Sequence, residues 1–224
     1  MGFLLSRKDI PPALSFQLSV KRGGPRFRIT VRSFPLTEGL AQGGEIEVAR
    51  CQDGKRLQLL PIMNGEQRIN FAATFSASDI NFDGYLDFSV LTGFGQMYSV
   101  ESYWVYAPGS GLFVQNELTQ ELGKKVKHNV DFDPKKHEIS MDYHIPGVFG
   151  YCGFPGDRYR VENNRLILIH KVEITEIDQG PLPEPAPDRP YCTVTVSDLV
   201  GGTMRVTAVG RFDAQGKLVK GVFT

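Results

Sequence analysis

The chain has 224 residues, 41% apolar and 22% charged, with 24 Gly and 14 Pro. That composition excludes collagen and wholesale disorder, and no apolar run approaches the roughly 20 residues of a membrane-spanning helix. Lys and Arg balance Asp and Glu at 25 each. A nucleic-acid partner is therefore not expected, because such chains carry a basic excess to neutralise phosphate.

The balance hides an asymmetry. Residues 1–35 hold seven Lys/Arg and one Asp. Residues 69–123 hold no Lys, Arg or His, yet carry Asp79, Asp83, Asp87, Glu101, Glu117 and Glu121. So acidic a stretch needs a counter-charge from elsewhere, and a bound cation is one candidate.

Strand signals dominate from the N-terminus onward. Phe16 to Arg22 and Arg26 to Arg32 flank Gly23-Gly24 as a hairpin, with Phe27, Ile29 and Val31 alternating against Arg and Thr. Arg26, Arg28 and Arg32 then read as a solvated stripe in preference to an anion site. Glu45–Arg50 and Arg56–Leu60 flank Asp53-Gly54 as a second hairpin. Further strands are expected at Asn70–Phe75, Leu86–Thr92, Val100–Ala107 and Gly111–Gln115, and a short helix over Asn116–Leu122. Val126–Phe132 and His137–His144 flank the turn Asp133-Pro134-Lys135-Lys136. Asp157–Glu162 and Arg165–Val172 are joined by Asn163-Asn164, which tolerates the positive φ of a tight turn. The five prolines within 179–190 favour an extended loop. Tyr191–Leu199 and Met204–Val209 alternate again. The pattern is all-β and antiparallel, in a propeller-like or barrel-like arrangement with one short helix. The expected organisation is one β domain over 1–178, a Pro-rich loop at 179–190, and strands at 191–224 that rejoin the same domain.

The sharpest motif is Asp79-Ile80-Asn81-Phe82-Asp83-Gly84-Tyr85-Leu86-Asp87. Oxygen side chains stand at positions 1, 3, 5 and 9, Gly84 permits the sharp turn, and the Tyr85 carbonyl supplies position 7. These are the hard oxygen donors calcium takes. Val90 replaces the usual Glu at position 12, and strands flank the loop, so it is not a helix–loop–helix EF-hand. The expected cofactor is one structural Ca2+ on Asp79, Asn81, Asp83, Tyr85 and Asp87.

Catalytic motifs are missing from the sequence: it has no P-loop, nucleophile elbow, HExxH or dinucleotide fingerprint. No enzyme activity is expected. Of the three cysteines, Cys152 and Cys192 each follow a Tyr and are expected to form a disulfide that anchors the proline loop, leaving Cys51 as a free, buried thiol. A Cys152–His144 nucleophilic pair is the weaker alternative. Around Cys152, Gly147–Gly156 lacks alternation and reads as a loop, with Tyr143, Phe149, Tyr151 and Phe154 in or beside it. Aromatic rings between glycines on a β scaffold suit partner binding. Met1–Leu5 is too short for the apolar region of a signal peptide.

Four segments carry a resemblance as an ordered set. They are Asn81–Asp87; Tyr103-Trp104-Val105-Tyr106 with Pro108–Val114; Phe132-Asp133-Pro134 with Glu138-Ile139; and Tyr159–Leu166. Over roughly 45–175 the chain resembles calcium-binding, propeller-like periplasmic immunity proteins. These act against cell-wall-degrading effectors of bacterium-killing type IV secretion systems, and are similar in fold to periplasmic inhibitors of invertebrate-type lysozyme. The resemblance implies a periplasmic, non-enzymatic inhibitor whose partner is a cognate peptidoglycan hydrolase effector, blocked by a tyrosine-bearing loop. Tyr151 is the matching tyrosine. The lipoprotein signal of that family is not present in this chain. The alternative is a calcium-dependent carbohydrate- or peptidoglycan-binding module that stacks the same aromatics on sugars.

Overall fold

A computed structural model describes residues 13–33, 43–63, 75–94, 99–125, 129–142, 155–176, 192–212 and 217–223. Three antiparallel sheets and one helix make up these residues, and no barrel closes among them. The chain divides into two compact units, 1–125 and 126–224. The division falls inside the span that the strand pattern assigns to one domain.

The first unit holds two four-stranded sheets. One is built in order from β1 (Leu14–Ser19), β2 (Arg26–Ser33), β3 (Gly43–Arg50) and β4 (Arg56–Met63). The other takes β5 (Phe75–Ser78), β6 (Asp87–Phe94), β7 (Ser99–Ala107) and β8 (Leu112–Val114). The alternation of β2 is realised: Phe27, Ile29 and Val31 are buried, while Arg26 and Arg28 are exposed. Arg32 is half-buried and reaches across the sheet to Glu47 at 3.0 Å and Glu45 at 3.4 Å.

One core joins the two sheets. Phe27 meets Phe113 edge-on with ring centres 5.3 Å apart, and Phe88 stacks on Trp104 at 5.2 Å. Deleting a buried ring of this kind costs about 3–5 kcal/mol. A polar clip reinforces the seam. The Gln58 side-chain amide of β4 donates to the Phe113 carbonyl of β8 and accepts from the Phe113 N–H, both at 2.8 Å. One side chain thus reproduces a rung of β-ladder between the sheets.

Helix α1 (Glu117–Lys124) closes the unit. Asn116 caps it, taking the Thr119 N–H on its side chain at 3.0 Å while Thr119 Oγ1 takes the Asn116 N–H at 2.8 Å. The helix therefore starts one residue later than expected, because Asn116 is its cap.

The second unit is a seven-stranded meander. Its strands are β9 (Asn129–Asp133), β10 (Glu138–Asp142), β11 (Gly156–Glu162), β12 (Arg165–Glu176), β13 (Cys192–Val200), β14 (Thr203–Phe212) and β15 (Leu218–Phe223). Asn163 and Asn164 sit at φ 51° and 59° in the β11–β12 turn, as a tight two-residue hairpin requires. Strands β13 to β15 add to the sheet edge formed by β12. Strand β15 lies beyond any expected element, and β5 begins where the expected strand at Asn70–Phe75 ends.

Cys51 is free, and it corrects one expectation: its side chain is exposed. It sits just past the last residue of β3, in a turn no layer of side chains covers.

Candidate functional site

The Asp79–Asp87 loop connects β5 to β6 and folds around its own carboxylates. Asp79 accepts the Asp83 N–H on Oδ1 at 3.0 Å and the Gly84 N–H on Oδ2 at 2.9 Å. Asp83 accepts the Tyr85 N–H at 3.0 Å, and the Asn81 side-chain amide donates to Asp83 Oδ2 at 3.1 Å. Gly84 takes φ 85°, left-handed backbone that strains any side-chain-bearing residue. Asp79 and Asn81 are half-buried and Asp83 is exposed.

Asp87 occupies different ground. It is fully buried at the start of β6. Its Oδ2 accepts the Ile80 N–H at 2.8 Å and its Oδ1 the Tyr106 N–H at 2.7 Å. One carboxylate thereby ties the loop to its own flank and to β7. Burial, with smaller contributions from the charges of Asp83 and Asp79, pushes its pKa up to about 7 against those two amide bonds. Burial also holds Asp79 above its usual range, helped by the Asp83 charge and opposed by backbone amides.

The first sheet holds the loop from outside. The Leu86 N–H donates to the Val20 carbonyl at 2.7 Å, and Lys21 lies over the Tyr85 ring at 5.0 Å. Lys21 thus brings a positive charge from the basic N-terminal segment to the acidic loop. Neither contact was foreseen, although the charge asymmetry of the two segments was its visible signal.

Among the described residues no three His, Cys, Asp or Glu side chains form a group that could hold a metal ion. The donor chemistry of the loop still suits calcium. Asp79, Asn81, Asp83 and the Tyr85 carbonyl are hard oxygen donors on one short turn, and each carboxylate oxygen bonded to a single amide keeps a second lone pair. Asp87 is mainly an anchor in this geometry.

No protein-family model and no curated protein matches the sequence. Among solved structures the chain is similar to a Xanthomonas type IV secretion system related protein. The TM-score is 0.47 and the identity 16%, over 88% of this chain and 99% of that one.

The candidate partner loop, with Tyr143, Phe149, Tyr151 and Phe154, lies outside the described residues, as does Cys152. Cys192 opens β13 with its side chain fully buried. In the second unit, His170 Nδ1 lies 2.7 Å from Asp198 Oδ1, and Thr207 Oγ1 donates to Asp198 Oδ2 at 2.5 Å. Those hydrogen bonds, Thr207 first, hold the Asp198 carboxyl below its usual range. Among the described residues no helix is long and apolar enough to cross a membrane.

Proposed function

We propose that this protein is a non-enzymatic inhibitor, an immunity protein that binds and blocks the active site of a peptidoglycan-degrading, lysozyme-like effector in the periplasm. One structural Ca2+ holds the Asp79–Asp87 loop. The observation that carries the reading is the loop itself. Three carboxylates share one nine-residue turn inside a 55-residue stretch, 69–123, with no Lys, Arg or His. The ordered motifs around that loop support the inhibitor reading.

Calcium would bind Asp79, Asn81, Asp83, the Tyr85 carbonyl and a second lone pair on Asp87. It would supply the positive charge that favours the ionised form of Asp79 and Asp87 against burial, the main cause of their raised pKa values, and against the smaller repulsion among the carboxylates. The loop would then hold β5 and β6 in register under the shared core. Tyr151, in Gly150-Tyr151-Cys152-Gly153, is the residue that enters the effector's cleft. Its ring fills apolar space and its hydroxyl meets a catalytic carboxylate. A central aromatic anchor of this kind contributes about 2–4 kcal/mol to a complex.

Calorimetry with CaCl2, paired with melting in calcium and in chelator, tests the metal. Heat of binding and a higher Tm in calcium are expected, because a ligand of the native state stabilises it by mass action. No heat and equal Tm values would remove calcium from the account. For the partner, an equimolar mixture with a lysozyme-type peptidoglycan hydrolase should elute as a one-to-one complex. Binding to purified glycan fragments with no enzyme complex would instead favour the carbohydrate-binding module.

A further inference from the structure

We infer that the seven-stranded sheet of the second unit joins edge to edge with a second copy of this chain, β15 of one copy against β9 of the next. These strands are the two ends of one sheet: among the described residues β15 pairs with β14 alone and β9 with β10 alone. An end strand presents a row of N–H and C=O groups that another strand can take up. The described side chains of β15 leave that row open. Leu218 and Val219 are 44% and 43% exposed, and Lys220 and Gly221 are exposed with them. No proline interrupts either strand.

Charge names the occupant. Strands β14 and β15 carry Arg205, Arg211 and Lys220 and no acid, whereas β9 and β10 carry Asp131, Asp133, Glu138 and Asp142 and no Lys or Arg. Like charges on facing strands repel. Lys220 therefore guards β15 against another β15, Asp131 guards β9 against another β9, and the mixed pair remains. The register agrees. Lys220 stands opposite Arg211, Arg211 opposite Thr193, and Thr193 opposite Thr175. Asp131 stands opposite Ser140, Ser140 opposite Arg158, and Arg158 opposite His170. His170 and Thr175 are an odd number of residues apart on β12, so Lys220 and Asp131 lie on opposite faces. Six antiparallel pairings separate β9 from β15, so the two run the same way. A half-turn about an axis across the strands reverses both the direction and the face of the second copy. Its β9 then meets β15 antiparallel, with Asp131 on the Lys220 side. Setting Lys220 opposite Asp131 sets Val219 opposite Phe132, a β-branched and aromatic pair that favours sheet. The contact joins two different edges, so it does not close on itself and growth continues beyond a dimer.

Sedimentation velocity of the full chain tests this. The mean mass should rise with concentration and pass that of a dimer. Lys220→Glu and Asp131→Lys each make the two edges alike in charge. Each should weaken association about tenfold in Kd, with circular dichroism and melting unchanged. An equimolar mixture of the two variants should regain association, because each altered edge then meets its opposite. Carbodiimide, which joins an amine to a carboxylate in contact, reads the register. In a mixture of isotope-labelled and unlabelled parent it should link Lys220 to Asp131 in peptides that carry one label of each kind. A monomer at every concentration, assembly that stops at a dimer, single variants that associate like the parent, or a mixture of variants that stays apart would overturn the proposal.

Discussion

Replacing Asp87 with Asn should stabilise the calcium-free protein at alkaline pH, although it alters a fully buried, doubly hydrogen-bonded side chain. The ordinary carboxyl value is 3.8, and the folded chain raises Asp87 to about 7. Below the lower value both states hold the proton and Asp87 contributes nothing to the pH dependence. Between the two values only the folded state holds it, so stability falls as pH rises, by at most about 1.4 kcal/mol per pH unit. Above the upper value the full difference has been lost, on the order of 4 kcal/mol. Asparagine has the shape of the carboxyl and does not titrate, but its NH2 faces one of the two amide N–H groups that Asp87 accepts, a pH-independent cost of about 1–3 kcal/mol. Asp87→Asn should therefore be less stable than the parent at pH 4 by the cost of the lost hydrogen bond, and by pH 8 the parent's larger loss should leave the variant the more stable. Urea unfolding in chelator reads this through Trp104, the only tryptophan, which stacks on Phe88 beside the substitution. Adding calcium should erase the advantage, because the ion favours the carboxylate. A stability difference that does not change between pH 4 and pH 8 would mean that Asp87 does not hold its proton more tightly in the folded state.

Gln58→Ala should cost about 2–4 kcal/mol in the same urea assay, since it strands the N–H and C=O of Phe113, a residue only 1% exposed. A loss no larger than that of an exposed substitution would mean water replaces the clip. Cys152 and Cys192 should be bridged, so that denatured, unreduced protein shows one alkylatable thiol, at Cys51; three would refute the bridge. Thr207→Val should raise the Asp198 carboxyl toward its ordinary value in an NMR titration, because the Thr207 hydrogen bond is the largest cause of its depression. A depressed carboxyl stabilises above its ordinary value, and that contribution is lost as pH falls through the folded one; the variant should lose less stability on acidification. An unshifted Asp198 would contradict the assignment.

Much of the fold was legible because its signals are local. The alternation of Phe27, Ile29 and Val31 against Arg placed β2, and Asn163-Asn164 marked a hairpin that needs positive φ at both positions. Other features depend on tertiary context. Asp87 to Val90 are all buried, so the start of β6 has no polar face, and spacing alone could not separate an anchor from a ligand. The division at 125 leaves no mark because strands continue on both sides of it. Strand β15 was missed because Lys220 and Gly221 interrupt its short apolar run. Cys51 was expected to be buried, yet it lies exposed in the turn just after β3. The charge asymmetry did foreshadow the docking of Lys21 onto Tyr85, but it could not name the residues.

Inhibition of a cell-wall-degrading enzyme is proposed to run through Tyr151. Its most direct test is clearing of a peptidoglycan suspension by a panel of lysozyme-type hydrolases, with parent protein or Tyr151→Ala added at increasing ratio. At least one enzyme should be silenced at one equivalent of parent, and Tyr151→Ala should lose about 30- to 1,000-fold in potency, the equivalent of 2–4 kcal/mol, with its calcium-dependent melting unchanged. Clearing by the protein alone, no inhibited enzyme across the panel, or equal potency of the variant would contradict the account.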